Sequence, residues 1–364
     1  YGIMPANGLL YTPPNACGCS TQVQLQGFFA ASPRRQALAP TNHLSRLVKG
    51  PAFGQIGNLR SKISDSSWPM FRASAKRSGS VKTQIAANLK KAWSAKITDL
   101  KSKLTRSQLT QAVVVDGTVY VAAKDAHTVH ALDVSSGKEK WTYTTGGRID
   151  SAPTYHQGML ICGSADGFVY CLRARDGVLA WKFKAAPADM LVSAYGQLES
   201  AWPVHGSVLV HDDELVFTAG RSTYLDDGLR FYRLNPVTGQ VLAEKTITHI
   251  DPETDKQTGK EPFREAGART GFNIEGVTTD IMSIDDDTVY LKYMGFDKDG
   301  NEIKENKKDH LFSMTSMLAE EWYVRTYWFY GHEFGGGWGG WSYAGKFPSG
   351  RIMAFDDDGI FGYG

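Results

Sequence analysis

Asp116-Gly-Thr-Val-Tyr-Val-Ala-Ala123, Thr128-Val-His-Ala-Leu-Asp133 and Ser136-Gly-Lys-Glu-Lys-Trp141 return as Gln157-Gly-Met-Leu-Ile-Cys-Gly-Ser164, Phe168-Val-Tyr-Cys-Leu-Arg173 and Asp176-Gly-Val-Leu-Ala-Trp181. Gly137 to Gly177 and Trp141 to Trp181 are both steps of 40 residues. A third copy runs Asp213-Glu-Leu-Val-Phe-Thr-Ala-Gly220, Leu229-Arg-Phe-Tyr-Arg-Leu-Asn235 and Thr238-Gly-Gln-Val-Leu242, lengthened by an insertion near Lys184 to Glu199 and without the tryptophan. Each copy strings short β-branched and aromatic runs between Asp-Gly or Thr-Gly turns, the pattern of consecutive hairpins. One such sheet cannot bury both faces, so copies must stack radially. A period near 40 suits a propeller blade rather than a helical solenoid.

Outward from these copies the pattern loosens. Asn7-Gly-Leu-Leu-Tyr-Thr and Gln22-Val-Gln-Leu-Gln-Gly-Phe-Phe29 read as strands of an earlier blade within residues 1–31, and residues 32–66, rich in Ser, Pro, Arg and Ala, as a loop or linker. Blades are expected over 67–364, with further copies starting at Asp287 and Arg351. No long amphipathic helix is written; Thr83 to Lys91 is the nearest candidate. The expectation is an all-β propeller of four-stranded antiparallel blades. Absence of an initial Met and an alternating pattern still running at Gly364 read as truncation at both ends.

Composition agrees with a folded, turn-rich chain: 42% hydrophobic and 21% charged, with 38 glycines in 364 residues. Forty basic and 38 acidic residues are spread along it for a net charge of +2, which argues against nucleic acid as a partner. No apolar run approaches the ~18 residues of a membrane span. Four cysteines, Cys17, Cys19, Cys162 and Cys171, are too few for a disulfide scaffold and lack zinc spacing.

The phrases Ser164 to Trp181 and Ala131 to Trp141 resemble the blade repeat of pyrroloquinoline-quinone-type, or quinoprotein-like, bacterial propellers. Trp68-Pro-Met-Phe-Arg72 with Arg77-Ser-Gly79 is similar to the phrase that precedes the first blade in such proteins. The resemblance implies that Gly137, Trp141, Gly177 and Trp181 form a girdle docking blade on blade, and that the protein works in the periplasm or outside the cell. It also implies, for the dehydrogenases of the family, pyrroloquinoline quinone between a Trp and a disulfide of adjacent cysteines, with Glu, Asn and Asp on Ca²⁺. Adjacent cysteines are absent, since Cys17-Gly-Cys19 is one residue too wide. A binding or scaffolding module with a protein, polar small-molecule or glycan ligand is therefore preferred to a quinone- and calcium-dependent dehydrogenase or a carbohydrate-active propeller.

Propeller ligands gather where loops enter the innermost strands. Asp150-Ser-Ala-Pro and Glu199-Ser-Ala-Trp202-Pro place acids there, with Arg148, His205 and Arg221 nearby. Such a set binds a polar ligand, does acid–base work, or closes the channel with salt bridges. The aromatic stretch with Trp328, Trp338 and Trp341 offers either flat rings to a ligand or packing between blades. Asp297, Asp299 and Asn301 alternate as in a Ca²⁺ loop but lack the closing Glu, and the same letters make a hairpin turn. Reading Asp166-Gly167 as a two-residue turn sets Cys162 opposite Cys171, within disulfide reach.

Overall fold

The computed structural model describes residues 2–13, 29–32, 46–55, 63–98, 109–194, 196–206, 208–254, 256–258, 276–305, 307–313, 328–332 and 347–363. Four antiparallel sheets of the expected kind follow one another. The first comprises Val113–Val115, Thr118–Ala123, Thr128–Asp133 and Glu139–Thr144, and the second Thr154–His156, Met159–Gly163, Phe168–Arg173 and Leu179–Lys184. The third holds Leu209–His211, Glu214–Ala219, Leu229–Leu234 and Val241–Ile247, and the fourth Met282–Asp285, Thr288–Leu291, Met294–Phe296 and Glu302–Ile303. The strands lie side by side in chain order, as hairpins demand. Tight left-handed turns at Asp116-Gly117, Gln157-Gly158 and Asp212-Asp213 join the first two strands of the first three sheets. The first strands of successive sheets neighbour one another, so the blades turn about a common inner edge.

Blade docks on blade through a tryptophan. A Cβ added to Gly137 would stand 2.6 Å from the Trp93 ring, and one on Gly177 2.5 Å from that of Trp141. On Gly239 it would meet the Trp181 ring at 3.1 Å. The three indoles donate Nε1–H to Val134, Ala174 and Pro236 carbonyls at 2.8, 2.9 and 3.0 Å. Trp181 is wholly buried and Trp141 partly so, as the girdle requires, and Trp93, in a stretch without strands, makes the same contact on the first sheet.

A second tie is the segment 67–80. Trp68 pairs with Val114 of the first sheet, and Pro69 accepts from the Tyr155 amide of the second. The Ala75 carbonyl accepts from Ile284 of the fourth, and Ser78 from Phe355 in the hairpin Ile352–Phe355 with Ile360–Tyr363. Buried Arg77 donates to the Met282 and Phe71 carbonyls at 2.8 and 3.0 Å. One irregular stretch thus laces the inner edges of several sheets.

Three expectations need correction. Thr83 to Lys91 forms no helix, and residues 46–55, placed in a linker, include the strand Leu47–Lys49, which adds a fifth strand to the second sheet. Cys162 and Cys171 are not opposite each other: Cys162 pairs with Tyr170, and Cys171 with Ile161. Gly167 donates to the Ser164 carbonyl in the left-handed region at φ 82°, and Ser164 to that of Phe168, so the turn holds three residues, not two. The extra residue shifts the register by one and turns the two cysteines to opposite faces. Each is buried in a different core cluster as a free thiol. Among the described residues no helix is long and apolar enough to cross a membrane.

Candidate functional site

The tip of the hairpin in the second sheet organises the charged loops. Ala165 donates its amide to the Arg148 carbonyl and accepts from the Ser200 amide, both at 2.8 Å, and Ser164 accepts from Val204 at 3.0 Å. The incoming loop that carries Arg148 and Asp150, and the outgoing one that carries Glu199 and His205, are therefore fixed to one turn. The turn needs Gly167, because a Cβ there would lie 2.8 Å from Ala186 Cβ and 2.9 Å from Ser200 Oγ. Upstream, Gly146 and Gly147 press on Asp166, where added Cβ atoms would sit 2.4 Å from Oδ2 and 2.5 Å from the amide nitrogen.

Four charged side chains meet there. Arg148 donates Nη2–H and Nε–H to Asp150 Oδ1 at 2.5 and 3.1 Å, and His205 Nδ1 lies 2.6 Å from Asp150 Oδ2. The other ring nitrogen, Nε2, stands 3.6 Å from Glu199 Oε1. Arg148, Asp150, Glu199 and His205 are exposed by only 1, 6, 3 and 2%. Burial works against a charged His205, yet the carboxylates of Glu199 and Asp150 outweigh it and hold the imidazole proton well above the ordinary range. Burial likewise opposes ionised Asp150, but the imidazolium and then the Arg148 guanidinium keep its carboxyl low. Glu199 Oε2 is the buried carboxylate oxygen of the group that finds no donor among the described residues.

Chemically these charges are spent mainly on one another, with Asp125 of the first blade 3.9 Å from Arg148 Nε as a further partner. The imidazole is flanked by two carboxylates, the Asp150 carboxylate is held by arginine and histidine, and all of these side chains are buried. Counting back from the tight turns, Asp150 stands seven residues before Gln157 and His205 seven before Asp212. His205, not Glu199, is therefore the repeat equivalent of Asp150, and blade-equivalent positions supply the two halves of one ion pair.

The remaining candidates fall elsewhere. Arg221 turns to Asp226, donating from Nη2 and Nε at 2.5 and 3.0 Å. Trp202 is fully buried and donates to the Asp226 carbonyl at 2.8 Å. Trp328 packs against Phe71, with the Arg72 guanidinium 4.8 Å above its ring, while Trp338 and Trp341 lie outside the described residues. Asp297 spends its carboxylate on the Asp299 and Asn301 amides and the Asn301 side chain, and Lys245 donates to Asn301 Oδ1 at 2.8 Å. That is a capped hairpin turn with a lysine where a cation would bind.

Sequence reasoning missed a second buried pair, Lys292 and Asp280, 3.7 Å apart at the next blade junction. Gly206 packs on it, since a Cβ there would come within 2.5 Å of the Asp280 carbonyl oxygen. The signal was available in Asp280, six residues before the turn at Asp286 and hence level with Gly206.

The described residues do not fit a quinone with its calcium. Cys162 and Cys171 point to opposite faces of one sheet, and among the described residues no group of three or more His, Cys, Asp or Glu side chains is placed to hold a metal ion. Cys17 and Cys19 lie outside the described residues.

A family profile of PQQ-like repeats, described as outer membrane protein assembly factor BamB, matches residues 77–271, just over half of the chain. The 1-butanol dehydrogenase (cytochrome c) of Thauera butanivorans is 37% identical over 81 residues, covering 19% of this chain and 12% of that protein. Among solved structures, quinohemoprotein alcohol dehydrogenase from Comamonas testosteroni is similar at 22% identity and TM-score 0.41, over 54% of this chain and 29% of that one. BamB from Moraxella catarrhalis is similar at 17% identity and TM-score 0.36, over 55% and 53%. The chain spans less than two thirds of the length of each of these relatives.

Proposed function

The chain belongs to the family of PQQ-like β-propeller repeats, and on that premise we propose that it is a binding or scaffolding propeller whose axial charges clamp the blades rather than turn over a substrate. The observation that carries this reading is the self-paired, buried group of Arg148, Asp150, His205 and Glu199. Groups shaped for catalysis keep a base or nucleophile open to substrate; these spend their charge on one another across two inter-blade loops. The profile's description, an outer membrane assembly factor, supports an extracytoplasmic place for it. Its partner is then met on the loops and outer edges of the blades.

The clamp and a ligand site differ in the sign of one measurement. A ligand site stores unfavourable charge, so neutralising it raises stability. Breaking a buried pair leaves its partner uncompensated and costs ~3–5 kcal/mol. Asp150→Asn is expected to lower the urea midpoint of the full chain; an unchanged or raised midpoint contradicts the clamp. Equilibrium dialysis against pyrroloquinoline quinone and Ca²⁺ is expected to leave no stoichiometric quinone absorbance on the protein. Retention at one per chain would replace this reading with the dehydrogenase.

A further inference from the structure

Residues 46–55 lie on the outside of the propeller like a bound peptide. Leu47–Lys49 pairs antiparallel with the outer strand Leu179–Lys184, with Phe183 opposite Leu47 and Trp181 opposite Lys49. The pairing continues beyond the strand: Gly50 and Ala52 donate to the Ala180 and Leu179 carbonyls at 2.8 and 2.9 Å, and Lys184 to that of Arg46 at 2.8 Å. Such edge addition is sequence-tolerant in its backbone, so selectivity comes from the pockets along it.

Those pockets are built from two blades. The Arg46 guanidinium sits 4.7 Å over the Phe183 ring and 5.1 Å over that of Tyr232. It donates to Glu244 Oε2 at 2.8 Å, to the Lys184 carbonyl at 2.9 Å and to Tyr232 Oη at 2.5 Å. Leu47 fills the crevice over Gly239, where an added Cβ would lie 2.5 Å from its Cδ1, beside the Trp181 ring. At Gly50 a Cβ would fall 2.3 Å from the Leu179 carbonyl oxygen, so no side chain fits. Ala52 is fully buried in the core cluster, where only a small residue is accommodated. Among the described residues, the outer strands Glu139–Thr144 and Val241–Ile247 of the flanking blades carry no added strand.

We infer that the groove between the second and third blades is a recognition site for an extended peptide reading Arg, an aliphatic residue, two open positions, Gly, one open position and a small residue, with residues 46–55 as its resident ligand. The stacked, carboxylate-paired arginine pocket sets the first position. Close backbone approach sets the glycine, and a closed pocket sets the small residue. A segment of this chemistry from another polypeptide competes with the resident one, so its apparent affinity falls by the fraction of time the groove is empty. This rests on the chain's being a binding module but not on the axial clamp, whose test above is independent of it.

The probe is a fluorescein-labelled peptide of residues 44–56, followed by anisotropy. The full chain with Arg46→Ser and Leu47→Ser, which weakens the resident segment and leaves the groove whole, is expected to bind it one to one. Binding at least tenfold tighter than to the unmodified chain is expected, lost tenfold or more on adding Glu244→Lys. A peptide with Glu in place of the arginine should regain affinity for the Glu244→Lys protein. No binding to the folded variant, or binding indifferent to Glu244→Lys, overturns the site. A measurement on the unmodified chain guards against a variant that does not fold: the Gly50 and Ala52 amides should exchange with deuterium faster than those of the central strand Phe168–Arg173. If they exchange only together with that strand, the segment is an integral part of the blade and the inference fails.

Discussion

His205 carries the sharpest consequence for solution behaviour. Its folded proton affinity is raised by Glu199 and Asp150, so the stability it contributes is complete below its unfolded pKa of ~6.5 and is lost as pH rises through the raised value. Asp150 runs the other way, its contribution being complete above ~4 and lost as pH falls through the lowered value. Urea midpoints of the unmodified protein are therefore expected to fall with rising pH above neutrality relative to those of His205→Gln; parallel pH profiles would show that the imidazole is neutral in the fold. Trp181→Ala is expected to cost ~3–5 kcal/mol, and Trp141→Ala less because its ring is only partly covered. The docking tryptophans were legible because period and flanking glycine repeat together. The gathering of Arg148, Asp150, His205 and Glu199 was legible as neighbourhood but not as pairing. Arg221, equally close in sequence logic, is taken by Asp226 five residues on, a local choice that blade equivalence cannot reveal.

At the scale of elements, the hairpin Met159 to Arg173 decides more than its own sheet. Asp-Gly is the common signature of a two-residue turn, yet the hairpin closes between Ser164 and Phe168 with three residues, Ala165-Asp-Gly167, in the loop and Gly167 left-handed, and that one added residue exchanges the faces of everything beyond it. Sequence alternation alone could not separate the two, since every residue of Met159–Gly163 is buried. The same turn grips the loops on either side of it. Gly167→Ala forces a Cβ into the left-handed region and against Ser200, and is expected to cost at least ~1 kcal/mol by urea unfolding. An unchanged midpoint would show that the loop at Ser200 yields freely. With the thiols on opposite faces, both should react with a thiol reagent only on unfolding, and non-reducing electrophoresis should match reducing electrophoresis for this pair; protection that persists in reductant-free denaturant would contradict the register.

Over the whole molecule, the four-stranded repeats and their order were readable from turns and periodicity, because each blade is a local object. The parts that join distant blades were not. Whether a Ser- and Pro-rich stretch docks depends on a groove that exists only after two sheets have met, and nothing in residues 46–55 taken alone announces it. Arg77 belongs to the same class: it lies buried with its donors on Met282 and Phe71, so Arg77→Met is expected to cost about 3 kcal/mol through the two carbonyls it strips of a donor. A loss below ~1 kcal/mol would show that the lacing of the inner edges is incidental.

That lacing also sets an order of events in time. Hairpins within a blade join residues a few positions apart and form early, whereas Arg72 meets the Met353 carbonyl across 281 residues of chain, and Ser78 meets Phe355 across nearly as many. Closing contacts of such span is slow, because loop entropy is lost before the contact is gained. Early blades can therefore take shape while the chain is still being synthesised, but the segment 67–80 cannot settle until residues 284 and 355 have emerged, and its inner-edge surface stays open to chaperones, or to aggregation, for that whole interval.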